Sequence, residues 1–516
     1  MTYFAPVPLI LPFVLLLGFK LTGLRASLIS VLVAIGIAAL IVWDPSQILQ
    51  TNVEAMQRAI GISFGVLTVL FPGLLLYKFQ SVTGNLEKIV DLLTSLIGSK
   101  ELQVVTLVIG VSPFLEAISG FGVSVLLVAP LLVALGFSNL KAGILVLLSQ
   151  ISVPLGALGV GTMIGAQLAD MPQNEVGQAS LILSAPLPAL FAVISLVVAF
   201  GVDSARRFAI PAILAGLAKA TGDYYLTGFV GIEVAGSLSC LFVITFLVLY
   251  DVVAPTDAHE NRTFRVDGAM RACLPYLFLI LALVVTRIIP PIQTNLLAIW
   301  NVDVLGSGFS YPLLYMPGTF IFAAVLLAIL VNRVSWNSIG LTSKQTVKQF
   351  IPAGLTILFF ILLSQIMIVS GMVAQIAELG TFMGSAYVPF VPILGALGGW
   401  LTGSNSGGNA MFMPMQVEIA NNIGISEHLV AGAQNGAASY GTMGSPARIA
   451  LASATLADKK IEGDLTRRMF AFVVFGAVVI GMAFACFVAF GFSNWDQNDV
   501  VFTTKSICRE DDRCWR

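Results

Sequence analysis

Long apolar runs alternate with short polar links along most of the chain. Runs at 5–19, 26–43, 59–77, 142–165, 178–200, 208–226, 228–250, 272–291, 313–332, 350–372, 429–457 and 468–492 stand out. A helix crosses the bilayer with about 20 such residues. The pattern predicts an all-α polytopic membrane protein with about twelve transmembrane helices. Two further apolar stretches, 102–137 and 385–421, are interrupted at their centres by Gly and polar residues. If each enters and leaves on one face, they are re-entrant hairpins. The first run precedes the first basic residue, Lys20, the reverse of the order in a cleavable signal peptide. It reads as a first span entering from outside.

Composition narrows the class. The chain of 516 residues is 57% hydrophobic and only 10% charged, against about 25% charged in a soluble domain. The 26 basic and 27 acidic residues give no signal for nucleic acid. Two His, His259 and His428, lie far apart, and the five Cys form no CxxC pair. No metal site, cofactor or enzymatic centre is therefore expected. Cys508 and Cys514 could form a disulfide or remain free thiols. Most Lys and Arg fall in alternate links, which places both termini outside by the positive-inside rule.

With that orientation the two interrupted stretches open to opposite faces. Each is followed by a long span with its own interruption, "SVPLGALGVGTMIG" (152–165) and "ASYGTMGSPARIA" (438–450). This order predicts an inverted repeat. Scaffold spans occupy 1–58. A first half (59–200) carries hairpin 102–137. Scaffold spans and a cytoplasmic loop (251–271) fill 201–349. A second half (350–492) carries hairpin 385–421, and 493–516 is a polar tail. The amphipathic run 85–98 reads as an interfacial helix, and Lys219, Asp223 and Glu233 read as solvated near the outer surface.

Backbone that leaves the helix inside a membrane is tolerated where protein or a watery cavity satisfies it, and transporters bind solutes at such breaks. Ser119-Gly120 and the run Ser404, Asn405, Ser406, Gly407, Gly408 and Asn409 are therefore candidate solute-binding residues. Glu116, ionisable within an apolar run, is the candidate proton carrier. Arg448 follows Ser445-Pro446 at a helix restart; its guanidinium could hold a carboxylate or pair structurally with Glu116 or Glu418. Gln150, Thr162, Gln434, Asn435, Tyr440 and Thr442 are secondary candidates. Mid-span polar residues more often bond neighbouring helices.

These segments resemble a known family. "FLEAISGFG", "TGSNSGGNAMF" and "MGSPARIALA" are similar, in order and spacing, to three signatures of bacterial L-lactate permeases. The resemblance implies proton-linked uptake of small 2-hydroxymonocarboxylates such as lactate and glycolate across the bacterial inner membrane. Asn405 stands where the signature has Asp, Ser406-Gly407-Gly408 where it has Thr-Ser-Ser, and Arg448 where it has a small polar residue. "SNS" (404–406) also resembles, more distantly, the sodium-site motif of dicarboxylate symporters. The expectation is a proton-coupled importer of small organic monocarboxylates. The alternatives are a sodium-coupled symporter of another organic anion and, further off, an ion channel. The partners are a small organic anion, a proton or sodium, and the lipid bilayer; a homodimer is possible.

Overall fold

The computed structural model describes residues 4–42, 45–120, 122–253 and 268–490. His259, Cys508, Cys514 and the polar tail lie outside the described residues. The architecture is helical throughout, apart from one small β-hairpin among the described residues.

Nine helical segments among the described residues are long and apolar enough to cross a membrane. A tenth span is counted if Gln173–Leu183 and Pro186–Phe200, bent by 49°, are taken together. This differs from the expected twelve for identifiable reasons. Val7–Leu16 and Pro317–Val331 are apolar but short. The run 429–457 is broken into Glu427–Gly441 and Pro446–Thr455. Val202–Val230 carries Lys219 and Asp223 in its apolar stretch. Conversely, Lys100–Ser119 and Gly384–Thr402, assigned to hairpins, are long enough to span.

The helices sort by burial into a centre and a periphery. Lys100–Ser119, Asn405–Ile423 and Glu427–Gly441 are enclosed along most of their length. Ala269–Ile288 and Lys459–Ala489 bury one stripe and turn Leu, Phe and Val outward. Such an outer face suits lipid, whose tails are as apolar as Leu. Serine caps begin several helices. Ser138, Ser335 and Ser426 each accept from the backbone N–H three residues on, satisfying a donor the helix cannot. Asn85–Ser95 is helical, as its amphipathic pattern predicts.

Two features depart from the sequence reading. Asn301–Asp303 pairs antiparallel with Ser310–Pro312, Val302 opposite Tyr311. Strands of three residues leave almost no periodic signal. The hairpin is anchored by Tyr311, whose hydroxyl donates to the Gly61 carbonyl at 3.0 Å and accepts from Gln167 at 3.1 Å. The second departure corrects an expectation. Lys219, Asp223 and Glu233 are buried, not solvated. Lys219 Nζ lies 2.6 and 2.5 Å from the two Asp223 oxygens and 3.1 Å from Ser239 Oγ. Glu233 meets Arg287 at 3.4 Å. One helical turn puts residues four apart on one face, so opposite charges can enter the interior as a pair.

Breaking a buried pair strands a charge, whereas replacing both partners by apolar groups is often tolerated. Lys219→Met should therefore sharply lower the thermal unfolding midpoint of the solubilised protein, and adding Asp223→Leu should recover most of the loss. A double variant no more stable than Lys219→Met would contradict this account of the pair.

Candidate functional site

Four interruptions of helical structure meet at one place. The helix Ser112–Ser119 stops at Gly120, with φ +66°. Gly122 is left-handed and starts Val123–Ala134. In the next segment, Gln150–Leu155 tightens to a 3-10 helix, and Ala157, Leu158 and Gly159 all take positive φ (49°, 57° and 77°). Left-handed backbone costs roughly 1–2 kcal/mol per non-Gly residue, and such strain collects at functional sites. In the second half, Gly403 is left-handed and Ser404 caps Asn405–Ile423. Finally, Thr442–Gly444 tightens before Ser445, whose hydroxyl accepts from the Arg448 N–H at 3.2 Å and caps Pro446–Thr455.

Gly120 is required twice over. Its φ disfavours any side chain, and an added methyl would lie 2.6 Å from the Ala157 Cβ. The first break therefore packs its Gly120 backbone closely against Ala157 of the left-handed turn.

A closed ring of polar side chains lies beside this contact. Arg448 Nη2 donates to Glu116 Oε1 at 2.9 Å, and Nη1 donates to Gln150 Oε1. Gln150 Nε2 donates to Ser124 Oγ at 2.8 Å, and Ser124 donates to Glu116 Oε2 at 3.2 Å. The Gly122 N–H adds a bond of 3.3 Å to Glu116 Oε1. The Arg448 and Glu116 side chains are only 9% and 2% exposed. At membrane depth the charges are thus paired, and each Glu116 oxygen has a further donor.

Glu116 and Arg448 of this ring line a cavity of about 340 Å³. Glu116, Gly120 and Arg448 face Ala157 and Gly161 from the first half and Thr402, Ser404, Asn405 and Ser406 from the second. The N-terminus of Asn405–Ile423 lies in this wall and that of Pro446–Thr455 brings Arg448 to it; helix N-termini favour negative charge.

The other candidates have different surroundings. Ser119 turns back to its own helix, donating to the Leu115 carbonyl at 2.5 Å. Ser445 is engaged as a cap. Gly407 and Gly408 pack against Thr402 and Gly399. Asn409, Gln434, Asn435 and Thr162 join an amide network behind the cavity. Tyr440 packs on Phe191, with centroids 6.0 Å apart, and Thr442 bonds to Ser439. Gln150 belongs to the ring. Sequence reasoning did not find Ser124 or the left-handed turn. Ser124 was findable, as the hydroxyl eight residues after Glu116 in the apolar run that follows Gly122; Ala157 and Leu158 give no signal.

The chain matches the L-lactate permease family over residues 2–490. It belongs to that family. An L-lactate permease of Streptococcus iniae is 28% identical over alignments covering 71% of this chain and 80% of its own. One of Salmonella typhi is 27% identical, with 90% and 91% covered. In fold, the chain is similar to Neisseria gonorrhoeae MtrF, of a class of antimetabolite efflux pumps, with TM-score 0.52, 13% identity and coverage of 90% and 94%. This permease is thus a multi-pass transporter of the bacterial inner membrane, not an enzyme.

In the permease, Gly120→Ala should abolish transport, because strain and collision act together at the first break. Gly136, also at positive φ (97°) but with nothing within 4 Å of an added methyl, supplies the control. Gly136→Ala should cost about 1 kcal/mol of stability and preserve transport. Equal transport by the two variants would show that the Gly120–Ala157 contact is dispensable.

Proposed function

We propose that the permease imports small 2-hydroxymonocarboxylates, lactate and glycolate in type, together with protons. The observation that carries this reading is the single cation lining the cavity among the described residues, Arg448, held by a carboxylate in the same ring. One guanidinium suits one carboxylate. A solute carboxylate that takes Arg448 removes the counter-ion of Glu116. An unpaired buried carboxylate costs several kcal/mol, so the loaded site takes up a proton on Glu116. The site then holds Arg448 paired with the solute and a neutral Glu116, with the same net charge as before. Anion and proton enter together because either alone leaves an uncompensated charge. Ser124 and Gln150 hold both members in position. The names of the family's curated relatives support lactate as solute.

The reading separates from its rival in reconstituted vesicles. Glu116→Gln should lose accumulation of labelled lactate driven by a proton gradient but retain lactate exchange, which moves no net proton. Arg448→Ala should weaken lactate binding by about 10- to 150-fold, the range of one charge-assisted hydrogen bond. Arg448→Lys should weaken it less. Recovery of transport when Glu116→Gln is added to Arg448→Ala would mean that the pair is structural. Accumulation driven by sodium and indifferent to protons would favour the sodium-coupled alternative, with oxygens of the Ser404–Ser406 turn as cation ligands.

The same reading treats 59–200 and 350–492 as inverted halves. It is supported by the order of elements, which recurs. Ser112–Ser119 and Val123–Ala134 precede the interrupted segment 139–169, and Phe390–Thr402 and Asn405–Ile423 precede the interrupted segment 427–455. Single cysteines at Lys141 and Ser426, in a background without native Cys, should react with impermeant reagents from opposite sides. Labelling from one side would exclude the inversion.

A further inference from the structure

The amide network behind the cavity fixes which atom Asn405 can offer to a solute. The orientation of a carboxamide is settled by its hydrogen-bond partners, and here the sequence of partners starts from a group that can only accept. Asn409 Nδ2 lies 3.0 Å from the Gly161 carbonyl oxygen, so this end of Asn409 is its donor. The same Nδ2 lies 2.8 Å from Asn435, which must therefore present Oδ1. Asn435 Nδ2 turns the other way and donates to Thr162 Oγ1 at 2.9 Å and Ser180 Oγ at 2.8 Å. Asn405 reaches the same Asn435 Oδ1 at 2.8 Å and so must meet it with Nδ2. The oxygen of Asn405 is what remains. The residue is 4% exposed and lines the cavity, and its Oδ1 accepts no hydrogen bond among the described residues.

A buried acceptor without a donor is costly. Flipping Asn405 would set two oxygens against each other at Asn435, so the protein cannot relieve it that way. We propose that Asn405 is the specificity-determining residue for the 2-hydroxyl: its Oδ1 accepts the hydroxyl hydrogen of a solute whose carboxylate is on Arg448. This rests on the monocarboxylate reading of the cavity and deepens it. A 2-hydroxy acid brings the needed donor. A 2-oxo acid brings a second acceptor, and an unsubstituted acid brings nothing. The oxygen is shielded at the wall in this structure, so the proposal includes a local opening at Asn405 when the solute binds.

The test compares three acids of the same chain length, L-lactate, pyruvate and propionate, by binding to the solubilised permease and to Asn405→Ala. The unmodified protein should prefer lactate over both others by about 10-fold or more, as expected when one buried polar group is satisfied or left unpaired. Asn405→Ala should lose affinity for lactate, keep its affinity for propionate and so bring the two close together. Retained propionate binding also shows that the variant is folded. If pyruvate binds the unmodified protein as tightly as lactate, the wall offers a donor and the inference is overturned without any variant. An unchanged lactate-to-propionate ratio in Asn405→Ala overturns it too, and in both cases the monocarboxylate reading stands. If none of the three acids binds the unmodified protein, that reading fails, and the inference falls with it.

Discussion

The ion pair between Glu116 and Arg448 is the constraint from which the site follows. The two residues are 332 positions apart in the chain and both are enclosed. Taking two charges out of water is repaid only by close pairing and by hydrogen bonds to what remains. The Gly122 N–H, Ser124 and Gln150 provide those bonds. That set of donors requires the helix to stop within one turn of Glu116, at Gly120, since an uninterrupted helix would keep the Gly122 N–H for itself. It also requires a restart just before Arg448, which Ser445-Pro446 supplies. The pair thus fixes the first and last breaks against each other, and the other two breaks close the cavity around them.

The same pairing gives the proposed transport cycle its economy. Arg448 serves Glu116 in one state and a solute carboxylate in the other, and a proton follows the exchange. The amide network behind the cavity plays a complementary part. It joins Asn405 and Asn409 of the second half to Thr162 of the first through Asn435. On the proposed reading, charge selection and hydroxyl selection lie on different walls of one small space.

Much of this was legible in the sequence. Apolar runs gave the helical membrane fold, and Gly with Ser, Asn or Pro inside such runs marked all four breaks that meet at the cavity, though not their backbone conformation. Glu116 and Arg448 stood out because ionisable residues are rare at membrane depth. What was not legible depends on distant partners. No local pattern says that Asn409 would face away from the cavity. By contrast Ser445, just ahead of Pro446 at a helix start, was open to reading as a cap, and the bond of Ser119 to the Leu115 carbonyl is equally local. The burial of Lys219 and Asp223 was missed because polarity was read one residue at a time, while the interior admits them as a pair. Ala157 and Leu158 carry no mark of their left-handed turn.

The central claim is that solute and proton occupy the site together because they compete through one arginine. Direct measurement of proton uptake on binding tests it without membranes or gradients. L-lactate is added to the solubilised permease at neutral pH in weak buffer, and the pH change is followed. The account predicts uptake of about one proton per lactate bound, by linkage, and loss of that uptake in Glu116→Gln. Lactate binding with no proton taken up by the unmodified protein would contradict it.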